Sequence, residues 1–107
     1  MTDVTDNNNN SSHSNNGALV MRVSKKTNGK SLASAISREL ENSESHQVIV
    51  RAIGLPAITQ ACKGIIIAGS FAGQRGKYII TRMGFSNMKI NDEEKEITAF
   101  DFHCYEQ

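Results

Sequence analysis

Residues 47–69 read QVIVRAIGLPAITQACKGIIIAG, and this stretch decides the fold. Val48, Ile49, Val50, Ala52 and Ile53 run almost without interruption, Arg51 being the exception. That is the pattern of a strand covered on both faces. Gly54-Leu55-Pro56 then opens a helix, because proline is tolerated at the first helical position, where its missing N–H has no intrahelical partner to lose. Ile58, Ala61, Cys62, Ile65, Ala68 and Gly69 recur at helical spacing and are expected to form the inward stripe. Gly64 in the helix interior costs about 1 kcal/mol against alanine, which makes sense where another backbone approaches closely.

Working outward, Ala18–Ser24 alternates as a short strand, and Asn28 and Gly29 break it. Leu32, Ile36 and Leu40 recur every four residues, so a helix is expected over Ser31–Glu41. Strand, helix and strand in this order make a right-handed βαβ unit. Downstream, Lys77–Ile90 reads as a long strand with Ile80, Arg82 and Gly84 on one side and Ile79, Thr81, Met83 and Phe85 on the other. Gly84 invites a bulge or bend. Asn91–Glu94 is a turn, and Glu96–Tyr105 is a last strand closing an antiparallel hairpin. The expected fold is an α/β two-layer sandwich, β-α-β-α-β-β, with a mixed sheet. It forms one domain over residues 18–107 of the 107. Residues 1–17, with an asparagine run at Asn7–Asn10 followed by serines, lack the apolar content to form a core and are expected to be a disordered tail.

The net charge of +1 conceals a strong polarity. Residues 1–17 carry Asp3 and Asp6 and no base. Residues 18–89 carry eleven Lys and Arg against three Glu, a net +8. Residues 90–107 carry Lys95 against six acids, a net −5. A basic body with an acidic end suits polyanion binding, and it is also compatible with head-to-tail self-association. No apolar run approaches the ~20 residues of a membrane helix, the opening residues are too polar for a signal peptide, and a cytoplasmic or nucleoid-associated setting is expected. Cys62 and Cys104 make no CxxC and are expected to be two partly buried thiols.

Ser24-Lys-Lys-Thr-Asn-Gly-Lys-Ser31 lies between strand and helix, with Lys25, Lys26 and Lys30 around a helix N-terminus whose free N–H groups and dipole favour anions. A solvated loop is the plain alternative. Gly29-Lys30-Ser31 matches only the end of a phosphate-binding loop, since serine occupies position 24 where the first glycine is required. Arg51, Gln60 and Lys63 surround the next strand-to-helix junction. Parallel strands send both loops to one edge of the sheet, so these side chains and two helix N-termini are expected to converge on Lys25, Lys26 and Lys30. Gln60 and Lys63 have the alternative reading of a wet helix face. His103 and Cys104 point to opposite faces of a strand and cannot share a metal. No nucleophile–base arrangement suggests itself. The few aromatic residues are expected mostly in the core, with no exposed stacking platform. The chain is thus expected to have no catalytic residues, no metal, no cofactor and no small-molecule substrate.

Val23-Ser24-Lys25, Ser31–Ile36, Arg51-Ala-Ile-Gly54 and Ala57-Ile-Thr-Gln-Ala-Cys-Lys63, with Met88–Glu94 as the last hairpin, resemble the stage V sporulation protein S family across about residues 18–105. That family is similar in fold to Alba chromatin proteins. The resemblance implies an Alba-like domain and non-catalytic binding of DNA or RNA through the loop at Lys25, Lys26 and Lys30 and the start of the second helix. It also implies homodimerisation through that helix (Ile58, Cys62, Ile65 and Gly69) and a developmental role of the sporulation type. Thr59 stands where the family carries asparagine, and the last hairpin is acidic where the Alba arm is basic. The competing reading is a protein-interaction or assembly module without nucleic-acid binding.

Overall fold

The computed structural model describes residues 11–13, 18–89 and 96–107. In chain order the elements are β1 (Ser11–His13), β2 (Leu19–Val23), α1 (Gly29–Asn42), β3 (Gln47–Ala52), α2 (Leu55–Gln74), β4 (Ile79–Lys89) and β5 (Glu96–Glu106). They build an α/β sandwich: one mixed five-stranded sheet, ordered β1-β2-β3-β5-β4, with two helices. β2 and β3 are parallel, as the βαβ reading requires, and the remaining neighbours are antiparallel. The last strand, β5, inserts between β3 and β4, so β4 is left at the sheet edge.

β1 falls inside the segment expected to be disordered. It pairs antiparallel with the β2 edge, Ser12 opposite Val20. Backbone pairing asks nothing of side-chain apolarity, which is why a Ser-Ser-His strand carries no periodic signal. The other residues of that tail and the turn at 91–94 lie outside the described residues.

Strand pairing sorts the side chains onto two faces. Met21, Val23, Val48, Val50, Ala52, Phe102 and Cys104 join Leu32, Ala33, Ile36 and Leu40 of α1 in the principal core. Leu32, Ile36 and Leu40 are fully buried, as their spacing predicts. On the helix-free face Ala18, Val20 and Ile49 form a second, smaller cluster.

The buried stripe of α2 differs from the one expected. It consists of Ala57, Ala61, Gly64, Ala68 and Ala72, while Ile58 and Ile65 flank the core and Cys62 is exposed. The cause is the close approach of α1. A Cβ on Gly64 would lie 2.6 Å from Leu32 Cγ, and one on Gly29 would lie 3.3 Å from Lys63 Cβ. Only alanine and glycine fit such a contact, so the helix presents its small residues inward and its isoleucines sideways. What approaches Gly64 is thus the Leu32 side chain. The consequence is an unusually bare helix: α2 is, contrary to expectation, long and apolar enough to cross a bilayer, yet only 28% of its most apolar stretch is buried. Its small-residue stripe packs against α1 and the sheet.

The ends of the sandwich are tied by polar contacts. Arg75, just after α2, donates to Glu106 on β5 (2.6 and 3.2 Å) and lies 3.8 Å from Glu41 of α1. The hydrogen bonds from Arg75 hold the Glu106 carboxyl below the usual carboxylate range. The ring Nδ1–H of His46 donates to the Leu40 carbonyl (2.7 Å), closing the C-terminal turn of α1. Burial pushes the Cys104 thiol up to about 11 despite its contact with the Thr81 hydroxyl, which makes it a core group at neutral pH.

Gly64→Ala gains helix propensity but must displace Leu32, so it is expected to lower unfolding stability by about 1–2 kcal/mol, read as a shifted urea midpoint.

Candidate functional site

The loop Ser24–Asn28 is ordered by its own side chains. Thr27 is buried and its hydroxyl accepts from the Ser24 N–H (2.9 Å), while the Ser24 hydroxyl accepts from the Lys26 N–H (3.1 Å). These bonds turn the chain so that Lys25 and Lys26 project into solvent. Asn28 then caps α1, its Oδ1 accepting from the N–H groups of Lys30 (2.9 Å) and Ser31 (3.0 Å). The expectation of free donors at this terminus is therefore corrected in part: two of them are used by the cap. The helix dipole and the lysine charges remain.

Because α1 crosses α2 at Gly64, its N-terminus lies over the middle of α2. A cleft of about 510 Å³ opens there, lined by Lys26, Thr27, Asn28, Gly29, Lys30, Gln60, Lys63 and Ile67. Four of the six residues singled out for binding are thus gathered in one place: Lys26, Lys30, Gln60 and Lys63. No acidic residue lines the cleft, and none of its three lysines has an ion-pair partner among the described residues.

Lys25 and Arg51 are not part of it. Arg51 projects from the helix-free face of β3, where its Nε and Nη2 donate to the two carboxylate oxygens of Asp101 on β5 (2.8 and 2.9 Å). That bidentate bond raises the guanidinium pKa still further, against the opposing effect of burial. The expected convergence of two helix N-termini also fails. The cleft takes the start of α1 and the second to fourth turns of α2 (Gln60, Lys63 and Ile67), because the crossing point lies at Gly64 and not at Leu55.

A second feature is apolar. Cys62, Ile65 and Ile66 of α2 and Thr81, Met83 and Phe102 of the sheet line a groove of about 210 Å³. Ile66 and Met83 are 70% and 65% exposed, and Phe85, stacked edge-to-face on Phe100, is 74% exposed. Of the residues expected at a dimer interface, Cys62 and Ile65 line this groove, while Ile58 packs against the core and Gly69 lies farther along the helix. Ile66, Met83 and Phe85 were missed. The run Ile65-Ile66-Ile67 signalled Ile66, since three consecutive isoleucines cannot all face one way on a helix. Among the described residues no group of His, Cys, Asp and Glu could hold a metal ion.

The model of the stage V sporulation protein S (SpoVS) family matches residues 19–107. The chain belongs to this family. The match spans β2 to the last residue of β5 and beyond, so it includes the lysine-lined cleft, the apolar groove and the Arg51–Asp101 pair. Membership supports a sporulation-related role.

Asn28→Ala removes the cap without touching the core, and is expected to cost about 1 kcal/mol of stability in thermal or urea unfolding.

Proposed function

We propose that this SpoVS-family protein is a non-catalytic, homodimeric nucleic-acid-binding protein that tracks the phosphate backbone with low sequence selectivity. The observation that carries the reading is the cleft itself: Lys26, Lys30 and Lys63 converge, unpaired among the described residues, beside the positive end of α1 with no acid in the lining. Three such cations suit a polyanion, whose binding releases condensed counterions. Lys25, exposed next to the cleft, extends the charge, and Gln60 offers a neutral donor. In this reading Arg51 contributes field more than contact, being held by Asp101. No small-molecule substrate, cofactor or membrane enters the mechanism, and the setting is cytoplasmic or nucleoid-associated.

The dimer follows from a different observation. The groove and the exposed Ile66, Met83 and Phe85 form an apolar patch of the kind that marks an interface. A second copy covers it best, since an isologous contact buries both patches at once and can set two lysine clefts on one ligand. The same patch is what favours an assembly module as the second reading, and salt separates the two.

Fluorescence anisotropy at about 50 and 200 mM salt, with duplex DNA, single-stranded DNA and RNA, is the test. Lys26→Glu with Lys63→Glu is expected to weaken binding about tenfold or more and to flatten the salt dependence by roughly two phosphate equivalents. Unchanged affinity would remove the cleft from the mechanism, and absence of binding at low salt leaves the assembly reading. Ile66→Glu is expected to turn a dimer into a monomer in sedimentation velocity, and a wild-type monomer would refute the dimer.

A further inference from the structure

The helix-free face of the sheet carries a second cationic surface. Arg22 on β2, Arg51 on β3 and Arg82 on β4 all project from it, by the strand register. Its only acid among the described residues is Asp101, which is consumed by Arg51. Arg22 and Arg82 are exposed and have no ion-pair partner among the described residues. His103, directly opposite Arg82, and Tyr105 add two half-buried planar rings. From β2 to β4 the surface spans three strand spacings, about 14 Å.

Gly84 leaves the middle of this surface open. It lies in the middle of β4, opposite Asp101. Glycine there weakens a strand, so a reason is needed. A bulge is not the reason: pairing runs unbroken from Ile79–Glu106 to Lys89–Glu96. Positive φ is not the reason, since only Gly54 and Gly76 among the described glycines have it. Crowding is not the reason either, because a Cβ on Gly84 would meet nothing within 4 Å. With a bulge, a positive φ and crowding excluded, the bare backbone at Gly84 leaves room for a ligand to approach the sheet closely. It would arrive over the Arg51–Asp101 pair, between Arg22 and Arg82.

We propose that this face is a second binding surface, for single-stranded nucleic acid lying across β2-β3-β5-β4. Arginine and planar side chains on an open sheet suit unpaired bases and phosphates together. A second copy is a poor occupant, because two such faces in isologous contact set arginines against arginines. The inference rests on the nucleic-acid reading but uses the side of the sheet opposite the helices.

The test compares labelled oligo(dT), oligo(U) and a duplex of equal length in anisotropy. Gly84→Val places a strand-forming side chain where nothing obstructs it, so the variant should melt at or above the wild-type temperature. It and Arg22→Ala with Arg82→Ala are expected to lose single-strand affinity by about fivefold or more and to leave duplex affinity unchanged. The Lys26→Glu/Lys63→Glu variant should instead lose duplex binding. Unchanged single-strand affinity in both face variants, with binding still lost on reversing the lysines, would overturn this inference and leave the proposed function standing. Wild-type protein that binds no oligonucleotide would overturn both. A Gly84→Val protein altered in oligomeric state but not in affinity would make the face a self-interface, which also overturns the proposal.

Discussion

The contact between Leu32 of α1 and Gly64 of α2 is the constraint on which most of the molecule depends. It fixes how closely the helices cross, and that closeness admits only glycine and alanine along one side of α2. Two consequences follow without further assumption. The start of α1 is laid over the middle of α2, which gathers lysines from separate parts of the chain into one cleft. Ile65 and Ile66 of α2, excluded from the helix contact, lie beside β4, where Ile66 is left largely uncovered among the described residues. A charged hollow and an apolar shoulder are both by-products of one tight crossing.

The charges are disposed with the same economy. Two arginines are committed to structure: Arg51 to Asp101 across the sheet, and Arg75 to Glu106 at its end. Two of the acids in the strongly negative C-terminal segment are thereby neutralised by the basic body of the same chain. The lysines around the cleft are not treated this way, nor are Arg22 and Arg82. Part of the positive charge is thus gathered on two surfaces, one on each side of the sheet.

Most of the fold was legible because its strands and α1 obey simple periods. Leu32, Ile36 and Leu40 announce their helix, and β4 and β5 alternate as read. The register of α2 was not legible, since counting apolar residues gives isoleucine precedence over alanine, whereas helix proximity reverses that order. Gly64 was the clue, and it correctly signalled close approach. The site was partly legible. The lysines, Gln60 and Lys63 could be grouped by βαβ topology alone, but topology says which edge a loop reaches and not which face a side chain takes. Arg51 was misplaced for that reason: its neighbours Val50 and Ala52 face the helices, so it must face away. β1 left no trace because its contribution is made by the backbone.

The cap on α1 has a further meaning for recognition. Asn28 spends its carbonyl oxygen on the two donors that a bound anion would otherwise claim. What faces the cleft is therefore a positive potential carried by ammonium groups without ion-pair partners among the described residues, with little fixed hydrogen-bond geometry. Under the proposed function, a surface of this kind would respond to the density of charge along a ligand more than to its pattern.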